Sequence, residues 1–169
     1  ELGELFEGRR IAEEALRLTR ATGHGNLECV ALLNLCKLER WVSNGALALR
    51  LAREAVATAR RVGLARWEPE AWCRVGDVAL ELGEQGTAAE AFATALAQSL
   101  ARKANSQLDA AAGLAKLALV QGDVAAAMRH VQRVFDWESA SGARHEAQDA
   151  RHVDLVCHLV LSSAGDARA

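Results

Sequence analysis

The chain has 169 residues, 51% hydrophobic but only 4% aromatic, which is enough for a substantial core and requires that core to be aliphatic. One Pro, thirteen Gly and no Tyr among abundant Ala, Leu, Glu and Arg exclude a strand-rich protein, since strands would need more Val, Ile, Thr and Tyr. A net charge of −2, from 20 basic and 22 acidic residues, gives no field to draw the chain onto nucleic acid or an anionic membrane, and apolar runs such as Cys29–Leu33 are far shorter than a membrane span.

The first helix is expected from about Leu5 to Thr22, with Ile11, Ala15, Leu16 and Leu18 on one side and Glu13, Glu14, Arg17 and Arg20 elsewhere. Gly23-His24-Gly25-Asn26 stops it. Helical spacing resumes through Leu27, Val30, Leu32, Leu33, Leu35 and Leu38, and Ser43-Asn44-Gly45 turns the chain into a helix from about Ala46 to Val62. Gly63 ends that helix, and Pro69 sits in the first turn of the next, where its missing N–H costs nothing. This helix continues to Leu82 and breaks at Gly83-Glu84-Gln85-Gly86, after which Thr87 is expected to cap a helix from Ala88 to about Lys103. Ser106 to Val120, Val124 to about Ser139, and about His145 to Ser162 complete the chain, the last two separated at Ser141-Gly142. About seven helices joined by short turns make an antiparallel stack.

The segments echo one another. Gly8-Ala12-Ala15, Ala48-Ala52-Ala55, Ala88-Phe92-Ala95 and Ala127-Val131-Val134 begin at steps of 40, 40 and 39 residues, a period that means stacked helical hairpins. The expected arrangement is one domain over 1–169, with hairpin units at 26–64, 65–104 and 105–143 and partial units at 1–25 and 144–169. Residues 1–22 read as a second helix without its first, and Gly165-Asp166-Ala167 repeats the turn Gly122-Asp123-Val124, so the chain is expected to be a fragment of a larger protein.

Between Trp67 and Leu96 the residues Trp72, Val75-Gly76, Ala79, Gly83, Ala88, Phe92 and Ala95 resemble the tetratricopeptide repeat (TPR) pattern, with small residues for close helix approach and bulky ones filling the space beside them. Leu114-Ala115, Ala118, Gly122, Ala127, Val131 and Val134 match more weakly. Leu35-Cys36 with Ala48-Ala52-Ala55 also match, with Glu39 standing where an apolar residue is expected, and Val153, Val156-Cys157 and Val160 fit with one extra turn residue. The resemblance implies an all-α fold of antiparallel helical hairpins in a right-handed TPR-like superhelix. The long period and Leu-Ala-Arg-Glu-Ala wording are similar to the TPR regions of MalT-like and LuxR-type bacterial transcriptional regulators, which implies a cytoplasmic interaction module in regulation or signalling.

In TPR proteins the first helix of each hairpin lines a concave groove that receives a partner peptide or helix. Carried over, the groove residues are Leu33, Lys37, Arg40 and Trp41, then Glu70, Cys73, Arg74, Asp77 and Glu81, then Asp109, Ala112 and Lys116, with Asp154 and His158 in the last helix. Lys37, Asp77 and Lys116 stand where chaperone-type TPR domains carry clamp Asn or Lys residues, and the missing Asn residues argue against capture of a free peptide C-terminus. Trp41 and Trp67 are candidates for partner contact or for capping a seam between hairpins, whereas Trp137 suits packing between repeats. A small effector bound among Leu33, Trp41 and Cys73, or pairing of two chains through open ends, are alternatives.

Chemistry finds little support. His145, Asp149 and His152 share a helix face, but the two His lie roughly 10 Å apart in a straight helix, too far for one ion. No GxxxxGK[ST], GxGxxG, HExxH or GxSxG occurs. Arg9-Arg10 and Arg60-Arg61 are short pairs beside Glu, which makes a poor nucleic-acid patch. The four Cys form no CxxC pair and read as buried free thiols. The expectation is a protein partner, no enzyme activity, no cofactor, no nucleic acid and no membrane.

Overall fold

A computed structural model describes residues 2–141, 150–166 and 168, so Gly142 and the expected helix start at His145 lie outside the described residues. Among the described residues there are eight helices and no strand: α1 Leu2–Thr22, α2 Gly25–Trp41, α3 Gly45–Val62, α4 Trp67–Glu81, α5 Gln85–Arg102, α6 Ser106–Val120, α7 Val124–Ser141 and α8 Ala150–Ala164. The all-α hairpin architecture agrees with the sequence segmentation, with eight helices among the described residues where about seven were expected. Helix α5 starts at Gln85 rather than behind a Thr87 cap, because the chain turns directly from the left-handed Gly83 through Glu84 into the helix.

The turns themselves repeat. Gly23, Gly63 and Lys103 close α1, α3 and α5 with φ of 71°, 71° and 52°, and Ser43, Gly83, Gly122 and Gly165 close α2, α4, α6 and α8 with φ of 59°, 79°, 76° and 67°. The residue after each donates its N–H to the carbonyl five residues earlier, as in Asn44 to Glu39, Glu84 to Ala79 and Asp123 to Ala118 at 2.8, 2.8 and 2.9 Å. This pattern satisfies carbonyls that a helix end would otherwise leave unbonded. The 40-residue echo is therefore a backbone period as well as a side-chain one.

The chain divides into two compact units, residues 1–84 and 85–169. In the first, each helix packs on its successor and α2 also touches α4. Cys29, Leu32 and Cys36 of α2 are fully buried, as are Ala48, Ala52 and Ala55 of α3. The Cys29 thiol lies 3.7 Å from the Ala55 carbonyl oxygen, which places the alanine stripe of α3 beside α2. Short side chains let the two helices approach closely, so the area buried is won with little side-chain volume.

Glu39 occupies the register of Ala79 and Ala118, yet it is only 1% exposed. Its carboxylate is compensated on two sides: Arg9 Nε of α1 lies 3.0 Å from Oε1, and Asn44 Nδ2 donates to Oε2 at 2.8 Å. A buried carboxylate needs such partners to remain charged. The apolar expectation at this position fails because α1 brings an arginine to it.

In the second unit α5 packs on α6, α6 on α7, and both α6 and α7 on α8. Phe92 of α5 is fully buried, and its ring lies where a Cβ on Gly113 would stand, at 2.2 Å from Cε1. Leu108, Ala111, Ala115, Val131, Val134, Val153, Val156 and Val160 share the core, with Trp137 packed against it. The aliphatic composition is thus spent on interlocking Ala and Val faces.

Candidate partner-binding groove

Helices α1 and α2 leave an open groove of about 400 Å³ between them, lined by Gly8, Ile11, Ala12 and Ala15 from α1 and by Ala31, Asn34, Lys37, Leu38 and Trp41 from α2. Its floor is made of small residues because α1 carries the same small-residue stripe as α3. Its rim is not small: Trp41 is 69% exposed and Ile11 55%. Both are large apolar side chains that stand exposed beside the cavity. Lys37 is exposed at the same rim, and no ion pair joins it among the described residues.

Behind this groove α2 is tied to α4 by charge. Arg40 Nε donates to Glu81 Oε2 at 3.1 Å and its Nη2 to Oε1, while Nη1 reaches Asp77 Oδ2 at 3.5 Å. Arg74 Nη1 donates to the same Asp77 oxygen at 3.1 Å. The thiol of Cys36, fully buried nearby, is pushed by burial up to about 11, so it stays protonated and unreactive.

The residues singled out from the sequence separate by burial. Lys37 and Trp41 line the groove. Arg40 is half-buried, and Glu81 is exposed but held by it. Leu33, Glu70, Cys73, Arg74, Asp77 and Asp109 are buried, so they meet neighbouring side chains before any partner. Leu33 and Cys73 do not line the groove beside Trp41. Ala112 is buried, Lys116 half-buried, and Asp154 and His158 are exposed on a second pocket of about 180 Å³ between α7 and α8, with Cys157, Glu138 and Arg168.

Trp67 is half-buried with the Arg66 guanidinium 5.6 Å from its ring centre. His145 and Asp149 lie outside the described residues, and no group of three possible metal-binding side chains occurs among the described residues. Among those residues no helix is long and apolar enough to cross a membrane. Sequence reasoning missed Gly8, Ile11, Ala12, Ala15 and Asn34. The repeat register of Gly8, Ala12 and Ala15 was visible, but it marked them as packing positions.

No family model matches the sequence, and no curated protein matches it. Solved structures do. BtubC (BKLC) from P. vanneervenii superposes with a TM-score of 0.75 at 16% identity, over 97% of this chain and 68% of that one. A Rap protein complexed with competence and sporulation factor gives a TM-score of 0.77 at 17% identity, over 95% of this chain and 48% of the other. Kinesin-light-chain-type TPR-like repeats of Podosopora anserina give 0.68 at 15% identity, over 96% and 80%. The chain has a TPR-like helical-repeat fold. At these identities the likeness carries the fold and no activity.

Proposed function

We propose that this chain is a protein-interaction module that binds a partner peptide or helix along α2, in the groove that α2 forms with α1. One observation carries the reading: an open groove with a small-residue floor, an exposed tryptophan and an unengaged lysine at its rim. Interface hot spots are enriched in Trp, and a charge beside the anchor helps to fix register and orientation. The Rap structure, solved with a bound factor, supports this use of a related fold. The chain acts by recognition, as the sensing or regulatory region of a bacterial transcriptional regulator or signalling protein in the cytoplasm.

The test is selection of peptides from a displayed random library against the intact chain, followed by affinity measurement with variants. Trp41→Ala is expected to weaken the selected peptides by about tenfold or more, the cost of truncating an aromatic anchor. Lys37→Glu should select for the opposite charge. Affinities unchanged in both variants would place the binding surface elsewhere.

A further inference from the structure

Two packing demands meet in the turn between α2 and α3. Glu39 is buried and accepts a hydrogen bond from Asn44 Nδ2, so the fold uses a side-chain donor at position 44. A Cβ on Gly45 would stand 2.7 Å from Leu82 Cδ2, so anything larger than glycine has to displace that side chain. Together these demands set asparagine directly before glycine, the only such pair in the sequence; Asn26, Asn34 and Asn105 precede Leu27, Leu35 and Ser106.

We propose that Asn44 is a site of spontaneous deamidation, and that the conversion moves its side chain from Glu39 to the start of α3. Asn44 is exposed, and Gly45 opens the helix, where a backbone N–H has no partner within the helix. The Gly45 nitrogen, its proton lost to hydroxide, attacks Asn44 Cγ, with no Cβ of its own to crowd the approach. The Cγ–Nδ2 bond breaks, ammonia leaves with a proton returned from water, and a cyclic succinimide remains. Water then opens the ring, at Cγ to give aspartate or at the main-chain carbonyl to give isoaspartate. The attack needs rotation about ψ of Asn44, which stands at 64°, so the turn must open transiently and the folded chain reacts more slowly than the unfolded one.

The product carries a carboxylate where the amide was. It offers Glu39 no donor, and two carboxylates at hydrogen-bond distance repel. The equivalent turn before α7 shows where the new group goes. Asp123 stands in the register of Asn44, with Ala118 in that of Glu39, and Asp123 Oδ1 accepts the Ala126 N–H at 2.7 Å. While Asn44 holds Glu39 it makes no such side-chain cap to α3. As a carboxylate it takes the Leu47 N–H in the same way, and Glu39 keeps Arg9 alone. Isoaspartate reroutes the main chain through Cγ, which also displaces the Asn44 carbonyl that accepts from the Ala48 N–H at 3.0 Å.

The site is tested by incubating the intact chain in mildly alkaline buffer beside a sample unfolded in guanidinium, with peptide mapping by mass at intervals. Asn44 should convert first, to aspartate and isoaspartate, and more slowly in the native sample. An Asn44 amide that survives in the native chain while the unfolded chain loses it completely, or conversion of Asn26, Asn34 or Asn105 ahead of it, overturns the site.

The exchange of partners is tested with Asn44→Asp. It should lower the urea midpoint of the otherwise native chain, and that loss should vanish in the Glu39→Ala background, where no carboxylate opposes it. Hydrogen exchange at the Leu47 amide should slow by about fivefold, the weight of a typical N-cap bond. No loss in the native background, a loss of equal size in both, or unchanged exchange at Leu47 overturns the movement of the side chain.

Discussion

At the scale of single residues, side-chain size and charge are placed where a one-atom change has a readable cost. Gly113→Ala would set a methyl 2.2 Å from the Phe92 ring, so it should destabilise the protein by about 1–3 kcal/mol in urea unfolding, the usual cost of overpacking a core. Phe92→Leu combined with it should recover part of that loss. A neutral Gly113→Ala would mean that α5 and α6 are not in close contact. Arg9→Ala should cost about 1–3 kcal/mol, because it strips a charged partner from a carboxylate that stays buried. Glu39→Ala in the same background should restore most of it, since nothing would then need compensating; no recovery would show that Arg9 acts through packing alone.

The thiols of Cys29, Cys36 and Cys157 are pushed by burial from an ordinary 9.0 up to about 11. An acid whose folded pKa is raised stabilises the fold fully below its unfolded value, so stability should fall as pH climbs from about 9 towards 11. Urea midpoints across that window, and iodoacetamide labelling at pH 8 that proceeds only as fast as the chain unfolds, check the sign. Prompt labelling of the native protein would contradict it.

Among elements, the helices were legible because aliphatic residues recur at helical spacing, and the turns because Gly, Asn and Asp mark them. What sequence could not supply was which turn residues stand at positive φ without being glycine. Ser43 and Lys103 hold φ of 59° and 52° in registers filled elsewhere by Gly83 and Gly63. A side chain in the left-handed region costs energy that glycine avoids, so Ser43→Gly or Lys103→Gly should each stabilise by about 0.5–1 kcal/mol in thermal or urea unfolding. Destabilisation by both would mean that the seven turns do not share one mechanism. The buried Glu39 was illegible for a related reason: its arginine partner lies thirty positions earlier on another helix, and no local pattern joins the two.

For the molecule as a whole, the repeat does two jobs with one pattern. Gly8, Ala12 and Ala15 of α1 repeat the small-residue stripe of α3 and line a cavity with Trp41 and Lys37. The two rim residues of α2, Lys37 and Trp41, were groove candidates in the sequence, and both line this cavity. The α1 floor was not named, because in sequence a small-residue stripe reads as packing. Burial also removed Leu33, Glu70, Cys73, Arg74, Asp77 and Asp109 from the accessible surface, a distinction that helical register alone does not make. The account stands or falls on whether a partner enters between α1 and α2. The direct measurement is a nitrogen–proton correlation spectrum of the intact chain during titration with a library-selected peptide. The account predicts that the Trp41 indole signal and the amides of Gly8, Ile11, Ala15 and Lys37 shift together while the Trp72 and Trp137 indoles stay in place. Shifts confined to α5–α8, with the Trp41 indole unmoved at saturation, would contradict it.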